Sequence, residues 1–437
     1  MHLLNARPTA SRDDRDSAES QPSSSAFTEY ESRVRYYGRN FPSLFETARG
    51  SIMRDRSGRE YIDFFAGAGA LNYGHNDPGM KARLIAYIEC NGITHSLDFE
   101  TGAKEAFILD FQDTILRPRG LAYRMLFSGP TGTNAVEAAL KVARKATGRT
   151  RIVAFEHSFH GMTAGSMAVS GGPLRQSSIL PPIGGTIFLP YDDGSGADGL
   201  DRLECMLAEA PSESQLPAAC IVETIQAEGG VIVASLPWLR RLSDICHHYG
   251  LLLIVDDIQT GCGRTGSFFS FEPAGLQPDI VCLSKSLSGM GLPLALVLIK
   301  DAYDCLAPGE HTGTFRGNDL AFVTAVSALR FWRDDTFEQE IAGKAERLRQ
   351  RLQAIADRHP SVVNPVVRGR GMIQGLVMAS GDLARRTSTE AFSRGLIIET
   401  ASPKGDVLKS LCPLTISEDD LEAGLDILAG AVAAVAA

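Results

Sequence analysis

The stretch LLLIVDDIQTGCGRTG, residues 251–266, with PDIVCLSKS, residues 278–286, decides how the chain folds. Leu251 to Val255 are five consecutive apolar residues that stop at Asp256 and Asp257, and Ile280 to Leu283 are four that stop at Ser284 and Lys285. Short unbroken apolar runs with polar ends predict strands buried on both faces, as in a parallel sheet. Such sheets take ligands just beyond the carboxyl ends of their strands, where the acid Asp256 and the amine Lys285 would then stand. The pairing suits pyridoxal phosphate. A lysine amine bonds to that cofactor's aldehyde, and a carboxylate keeps its pyridine nitrogen protonated so that the ring accepts electrons. Taken singly, both residues have plainer explanations: a lysine after an apolar run is commonly a solvated strand end, and Asp-Asp is common in turns.

Upstream, SGPTGTNAVEAALKVARKATG (128–148) predicts a helix, with Asn134 and Glu137 as a capping box. The free amides at Gly132, Thr133 and Asn134 would suit a phosphate. Strands are expected at Tyr123 to Phe127, Ile152 to Phe155 and Ala218 to Val222, and a hairpin turning at Ser57-Gly58 within residues 51–64. FFAGAGALNYGHNDP (64–78) lacks the third glycine of a dinucleotide loop and runs into Pro78. From Asn318 to Arg358 the pattern is helical, and a closing helix is expected from Ser417 to Val432.

With 437 residues, a large domain and a smaller companion are expected. The reading is an arm over 1–26 without order, then 27–75 and 326–437 in the small domain and 76–325 in the large one. A net charge of -9 offers no basic field for nucleic acid. No apolar run approaches the ~20 residues of a membrane helix. Asp13, Asp14, Asp16 and Glu19 argue against a transit peptide. Eight scattered cysteines without a CxxC pair point to reduced thiols, a cytoplasmic location and no zinc site.

Asp256, Gln259, the glycines from Gly261 to Gly266 and Lys285 stand in the order and spacing of the class III, or omega-type, aminotransferases, which the chain resembles from about Tyr30 onward. The resemblance implies a fold type I α/β architecture, a mostly parallel seven-stranded sheet plus a small α+β domain. It implies that Lys285 carries pyridoxal 5'-phosphate, that Asp256 faces the ring nitrogen, and that Gly132 and Thr133 take the phosphate. It also places Phe159, of HSFHGMT (157–163), on the ring with His160 beside it, and Glu223 and Gln259 near it. Thr314, of GEHTGTFRGN (309–318), would reach the phosphate of a neighbouring subunit, so a homodimer or higher even oligomer is implied.

In ETIQAEGG (223–230), Thr224 and Ala227 depart from the family's Glu-Pro-x-Gln-Gly-Glu, while both glutamates remain. Glu228 would neutralise a carboxylate-binding cation when a substrate lacks that carboxylate. Ornithine-type relatives supply an arginine for this; here the position holds Lys409, a point charge without the bidentate fork. Arg368 or Arg370 would share the task. Asp-Asp-Ile-Gln at 256–259 and Phe-Arg-Gly-Asn at 315–318 narrow the implied reaction to amino transfer from L-glutamate to L-aspartate 4-semialdehyde, giving L-2,4-diaminobutyrate and 2-oxoglutarate. The alternatives are another omega-aminotransferase of ornithine, 4-aminobutyrate or lysine type, or a pyridoxal-phosphate aminomutase.

Overall fold

Seven strands form the central sheet: β1 (Arg124–Phe127), β2 (Ile152–Phe155), β3 (Thr186–Leu189), β4 (Ala219–Val222), β5 (Leu252–Asp256), β6 (Ile280–Leu283) and β7 (Leu296–Ile299). Their order across the sheet is β1-β7-β6-β5-β4-β2-β3. All run parallel except β7, which is antiparallel to β6 and β1. The computed structural model describes residues 25–172, 185–192 and 199–437. The arm expected over 1–26 falls outside these except at its end, where Ser25–Glu29 is a short helix.

Strands β2, β4, β5, β6 and β7 are buried at every position, which is why they read as unbroken apolar runs. Side chains alternate between two cores: Ile221, Ile254 and Ile280 on one face, and Cys220, Leu253, Val255 and Val281 on the other. Helix Gly132–Thr147 covers the first face with Ala135, Ala139, Leu140 and Ala143. Helix Leu236–Tyr249 joins the core of the second face through Trp238, Leu239 and Leu242.

The two ends of the chain meet in a four-stranded sheet. Ile52–Asp55 and Glu60–Asp63 form the expected hairpin, its turn fixed by Asp55 Oδ1, which accepts the amides of Ser57 and Arg59 at 3.0 and 3.1 Å. Leu396–Ile397 then adds in parallel to Glu60–Asp63. A second, antiparallel sheet orders Val363–Arg370, Ile373–Met378, Val407–Ser410 and Glu399–Ala401 side by side. The helical stretch expected from 318 to 358 is two helices, Asp319–Leu329 and Thr336–Arg358. The break follows from Trp332, which turns into the core and donates its ring N–H to Tyr73 Oη at 2.8 Å, and from Asp334, which accepts the Thr336 amide at 3.0 Å. No helix of the described residues is long and apolar enough to cross a membrane.

Candidate active site

Strands β5 and β6 are parallel neighbours with Asp256 opposite Cys282, so the end of one and the turn after the other open at the same sheet edge. Asp256 and Lys285 line one cavity of about 320 Å³ with Gly132, Thr133, Phe159, His160, Glu223, Glu228 and Gln259. Nine residues singled out in the sequence thus converge, although they span more than 150 positions. Lys285 itself has φ +47°, a strained left-handed backbone for a residue with a side chain. Its flanks hold that conformation. Ser284 Oγ donates to Leu294 O at 2.9 Å, and Ser286 Oγ donates to Gly69 O at 2.8 Å. The glycine-rich turn at 66–69 therefore braces the lysine, and its Ala68 carbonyl also accepts Gln259 Nε2 at 2.9 Å. Burial lowers the Lys285 amine below the ordinary lysine range, only partly offset by Glu228.

At the deep end, His160 Nδ1 lies 2.7 Å from Asp256 Oδ2, and the Ile258 amide donates to Oδ1 at 3.1 Å. Burial alone would lower the imidazole's proton affinity, but the hydrogen bond and charge of Asp256 outweigh it and the net shift is upward. His160 is thus a brace behind the carboxylate rather than a neighbour of the ring alone. Glu223 Oε2 accepts the Phe159 amide at 3.0 Å, fixing the residue whose ring faces the cavity. Burial pushes the Glu223 carboxyl up to about 7, against the pull of His160.

The opposite end is the start of helix Gly132–Thr147. The capping box expected from Asn134 and Glu137 is instead made by Thr131 and Asn134: Asn134 Oδ1 accepts the Thr131 amide at 3.3 Å and the Thr131 hydroxyl at 2.7 Å. The helix begins three residues earlier than a cap at Asn134 requires, which leaves Glu137 more than a full turn inside. There it accepts from Thr163 Oγ1 at 2.6 Å and from the Gly165 amide at 2.8 Å, tying the loop after β2 to the helix. Thr133 Oγ1 shares hydrogen bonds with Thr163 and Ser166 hydroxyls at 2.8 and 2.6 Å. Gly161, at φ +125°, passes so close that a Cβ there would meet Thr133 Oγ1 at 2.4 Å.

This donor set fits pyridoxal phosphate: a helix N-terminus with hydroxyls for the phosphate, a phenylalanine face for the ring, a braced carboxylate for the ring nitrogen and a lysine for the aldehyde. His160 Nε2 and Gln259 Oε1, both buried without a hydrogen-bond partner among the described residues, are further polar atoms of the site.

Lys409 is fully buried on strand Val407–Ser410, with Nζ 2.6 Å from Glu228 Oε1 and 3.1 Å from Glu399 Oε1. Its proton affinity is raised because the two carboxylates outweigh burial. Glu228 is drawn below the usual carboxylate range by Lys409 and Lys285 in spite of burial. Glu399 was not legible in the sequence, since it sits directly opposite Lys409 only through cross-strand register. Arg368 is not among the residues lining the cavity; its Nη1 donates to Gly230 O at 3.2 Å. Arg370 is likewise outside, near Ser270. Thr314 is exposed and also outside the cavity of its own chain.

Comparison with known proteins agrees with this geometry. The family model for class-III aminotransferases matches residues 35–432. A protein of Halalkalibacterium halodurans named diaminobutyrate–2-oxoglutarate transaminase is 49% identical over 418 residues, 95% of this chain and 98% of that protein. One of the same name from Vibrio cholerae is 51% identical over 92% of this chain and 98% of its own length. Among solved structures, the ornithine aminotransferase of Toxoplasma gondii ME49 superposes with a TM-score of 0.82 at 26% identity, covering 94% of each chain. The N-acetylornithine aminotransferase of Stenotrophomonas maltophilia K279a gives 0.73 at 27% identity, over 94% of this chain and 98% of that one. A lysine and a braced aspartate at one sheet edge, within a chain matched almost end to end, identify it as a member of the class-III aminotransferase family, with the fold and pyridoxal-phosphate dependence of that family.

Proposed function

We infer that the protein is a diaminobutyrate–2-oxoglutarate transaminase: it moves the amino group of L-glutamate to L-aspartate 4-semialdehyde, yielding L-2,4-diaminobutyrate and 2-oxoglutarate. The observation that carries this is the half identity, over nearly the full length of both chains, to relatives of that name. Its substrates are accordingly an amino acid and a 2-oxo acid or aldehyde.

Pyridoxal phosphate, when bound, supplies the carbonyl that carries the amino group and a ring that takes up electrons from the reacting carbon. The chain's residues do the rest. Lys285, its amine made less basic by burial, takes the proton from the reacting carbon and returns one. Asp256, oriented by His160 and the Ile258 amide, holds negative charge at the deep end, where positive charge on the ring must be kept. Glu223 fixes Phe159, and Gln259 bridges the 66–69 turn to Glu228 at 3.3 Å. Lys409 is the cation for the carboxylate on glutamate's reacting carbon. Glu228 covers it when the semialdehyde, which has none there, is in the site.

Two further expectations belong with this function. Exposed Thr314, followed by Phe315 at 66% exposure, supports a dimer in which this loop completes the neighbouring site. Eight cysteines, all free thiols, support a reducing cytoplasm. We assign cofactor binding to residues 76–325, and to 27–75 with 326–437 the small domain that sets Lys409 behind Glu228, which lines the cavity.

Turnover on a panel of amino acceptors, with and without glutamate, tests the function. Aspartate 4-semialdehyde is expected to exceed succinic semialdehyde and glutamate 5-semialdehyde in kcat/KM. Equal rates without added glutamate would mark an aminomutase and overturn the reading.

A further inference from the structure

One cation, Lys409, faces two carboxylates, and the two are differently held. Glu228 lies in the turn after β4, lines the cavity and keeps 31% of its side chain exposed. Glu399 lies within a strand, directly across from Lys409, with 4% exposed. Glu228 has room to turn away. Glu399 has none. If both are ionised, the departure of Glu228 leaves Lys409 still matched by one fixed carboxylate, a neutral pair with little pull on an incoming anion. If Glu399 holds a proton, the same departure leaves a buried net positive charge.

We propose that Glu399 is a specificity-determining residue, whose protonation frees Lys409 to receive the carboxylate on the reacting carbon of glutamate. This rests on the amino-donor role assigned to glutamate above. The semialdehyde brings no carboxylate to that point and needs no such proton. The titratable groups around Glu399 are Lys409 across the strand, Glu228 and Lys285 from the two turns, and the Tyr37 hydroxyl. The helix Gly381–Ser393 behind it buries only Ala384, Thr387 and Ala391. Burial pushes the Glu399 carboxyl up to about 7, against the pull of Lys409. Its Oε1 lies 3.1 Å from Lys409 Nζ.

The test uses the cofactor-loaded enzyme and glutarate, which has both carboxylates of glutamate and no amine. Calorimetric titration in two buffers of different ionisation heat measures protons taken up on binding. Wild type is expected to take up close to none well below the Glu399 midpoint of about 7 and close to one well above it. Glu399→Gln is expected to take up none at either pH. In steady state the KM for glutamate should rise by about tenfold per pH unit above the midpoint, the slope should vanish in Glu399→Gln, and the KM for aspartate semialdehyde should stay flat in both. Uptake that is absent in wild type, or equal in the two proteins, overturns the proposal. The wild-type measurement alone can do so, whatever the variant's stability. Failure to aminate the semialdehyde would count against the assigned reaction, while proton uptake with glutarate would still decide the role of Glu399.

Discussion

Single residues carry the chemistry here because burial changes what they are. Asp257, next to Asp256, is fully buried and accepts the Ser270 amide at 3.0 Å and the Thr260 hydroxyl at 2.8 Å. Burial nonetheless pushes its carboxyl from 3.8 to about 6. Between those values the folded chain keeps a proton that the unfolded chain has lost. Asp257 therefore favours folding most below the lower value and progressively less as pH rises to the upper one, by on the order of 2–3 kcal/mol. Denaturant melts across this window should show a shallower decline for Asp257→Asn than for wild type; parallel declines would contradict the shift. The same physics explains what the sequence disclosed. The placement of Asp256 and Lys285 at one sheet edge was legible because one ends an apolar strand and the other follows one by two residues. Glu399 was not, because its meaning lies in a neighbour ten positions on that only strand pairing brings opposite.

At the scale of elements, the phosphate end we propose depends on the loop after β2 lying flush on the helix Gly132–Thr147. Gly161→Ala would drive a methyl into Thr133 Oγ1 and Ser166 Oγ, 2.4 and 2.7 Å from the ideal Cβ, at a φ of +125°. Overpacking of this kind costs roughly 1–3 kcal/mol. Directed at Thr133, it should weaken cofactor binding by about five- to a hundredfold. Gly58→Ala, at φ +87° with nothing near its Cβ, carries backbone strain alone and should leave cofactor affinity unchanged. Equal cofactor affinity in the two variants, by fluorescence titration, would show that the loop does not shape the phosphate end. The helix was legible from its composition, but its first residue was not. Thr131 and Asn134 both satisfy capping chemistry, and the choice between them is made by where the chain leaves β1.

At the scale of the molecule, the parallel core was legible from its apolar runs, whereas the sheet joining Glu60–Asp63 to Leu396–Ile397 was not, because parallel partners more than 330 positions apart leave no local signal. The proposed dimer gives a prediction at this scale. Mixed Lys285→Ala and Thr314→Ala subunits should regain about one working site per heterodimer, since a two-fold axis pairs one intact lysine with one intact threonine. No gain, with subunit exchange established by mass, would count against Thr314 acting across the interface. The central claim, that Lys285 moves glutamate's amino group to the aldehyde carbon of aspartate semialdehyde, is met most directly by isotope transfer. Glutamate labelled in its amino nitrogen is incubated with aspartate 4-semialdehyde and the loaded enzyme, and the product is read by mass spectrometry and nuclear magnetic resonance. The expected product is 2,4-diaminobutyrate with the label on the nitrogen at carbon 4, and none forms with Lys285→Ala. Label on the nitrogen at carbon 2, product without label, or undiminished transfer by the variant would contradict it.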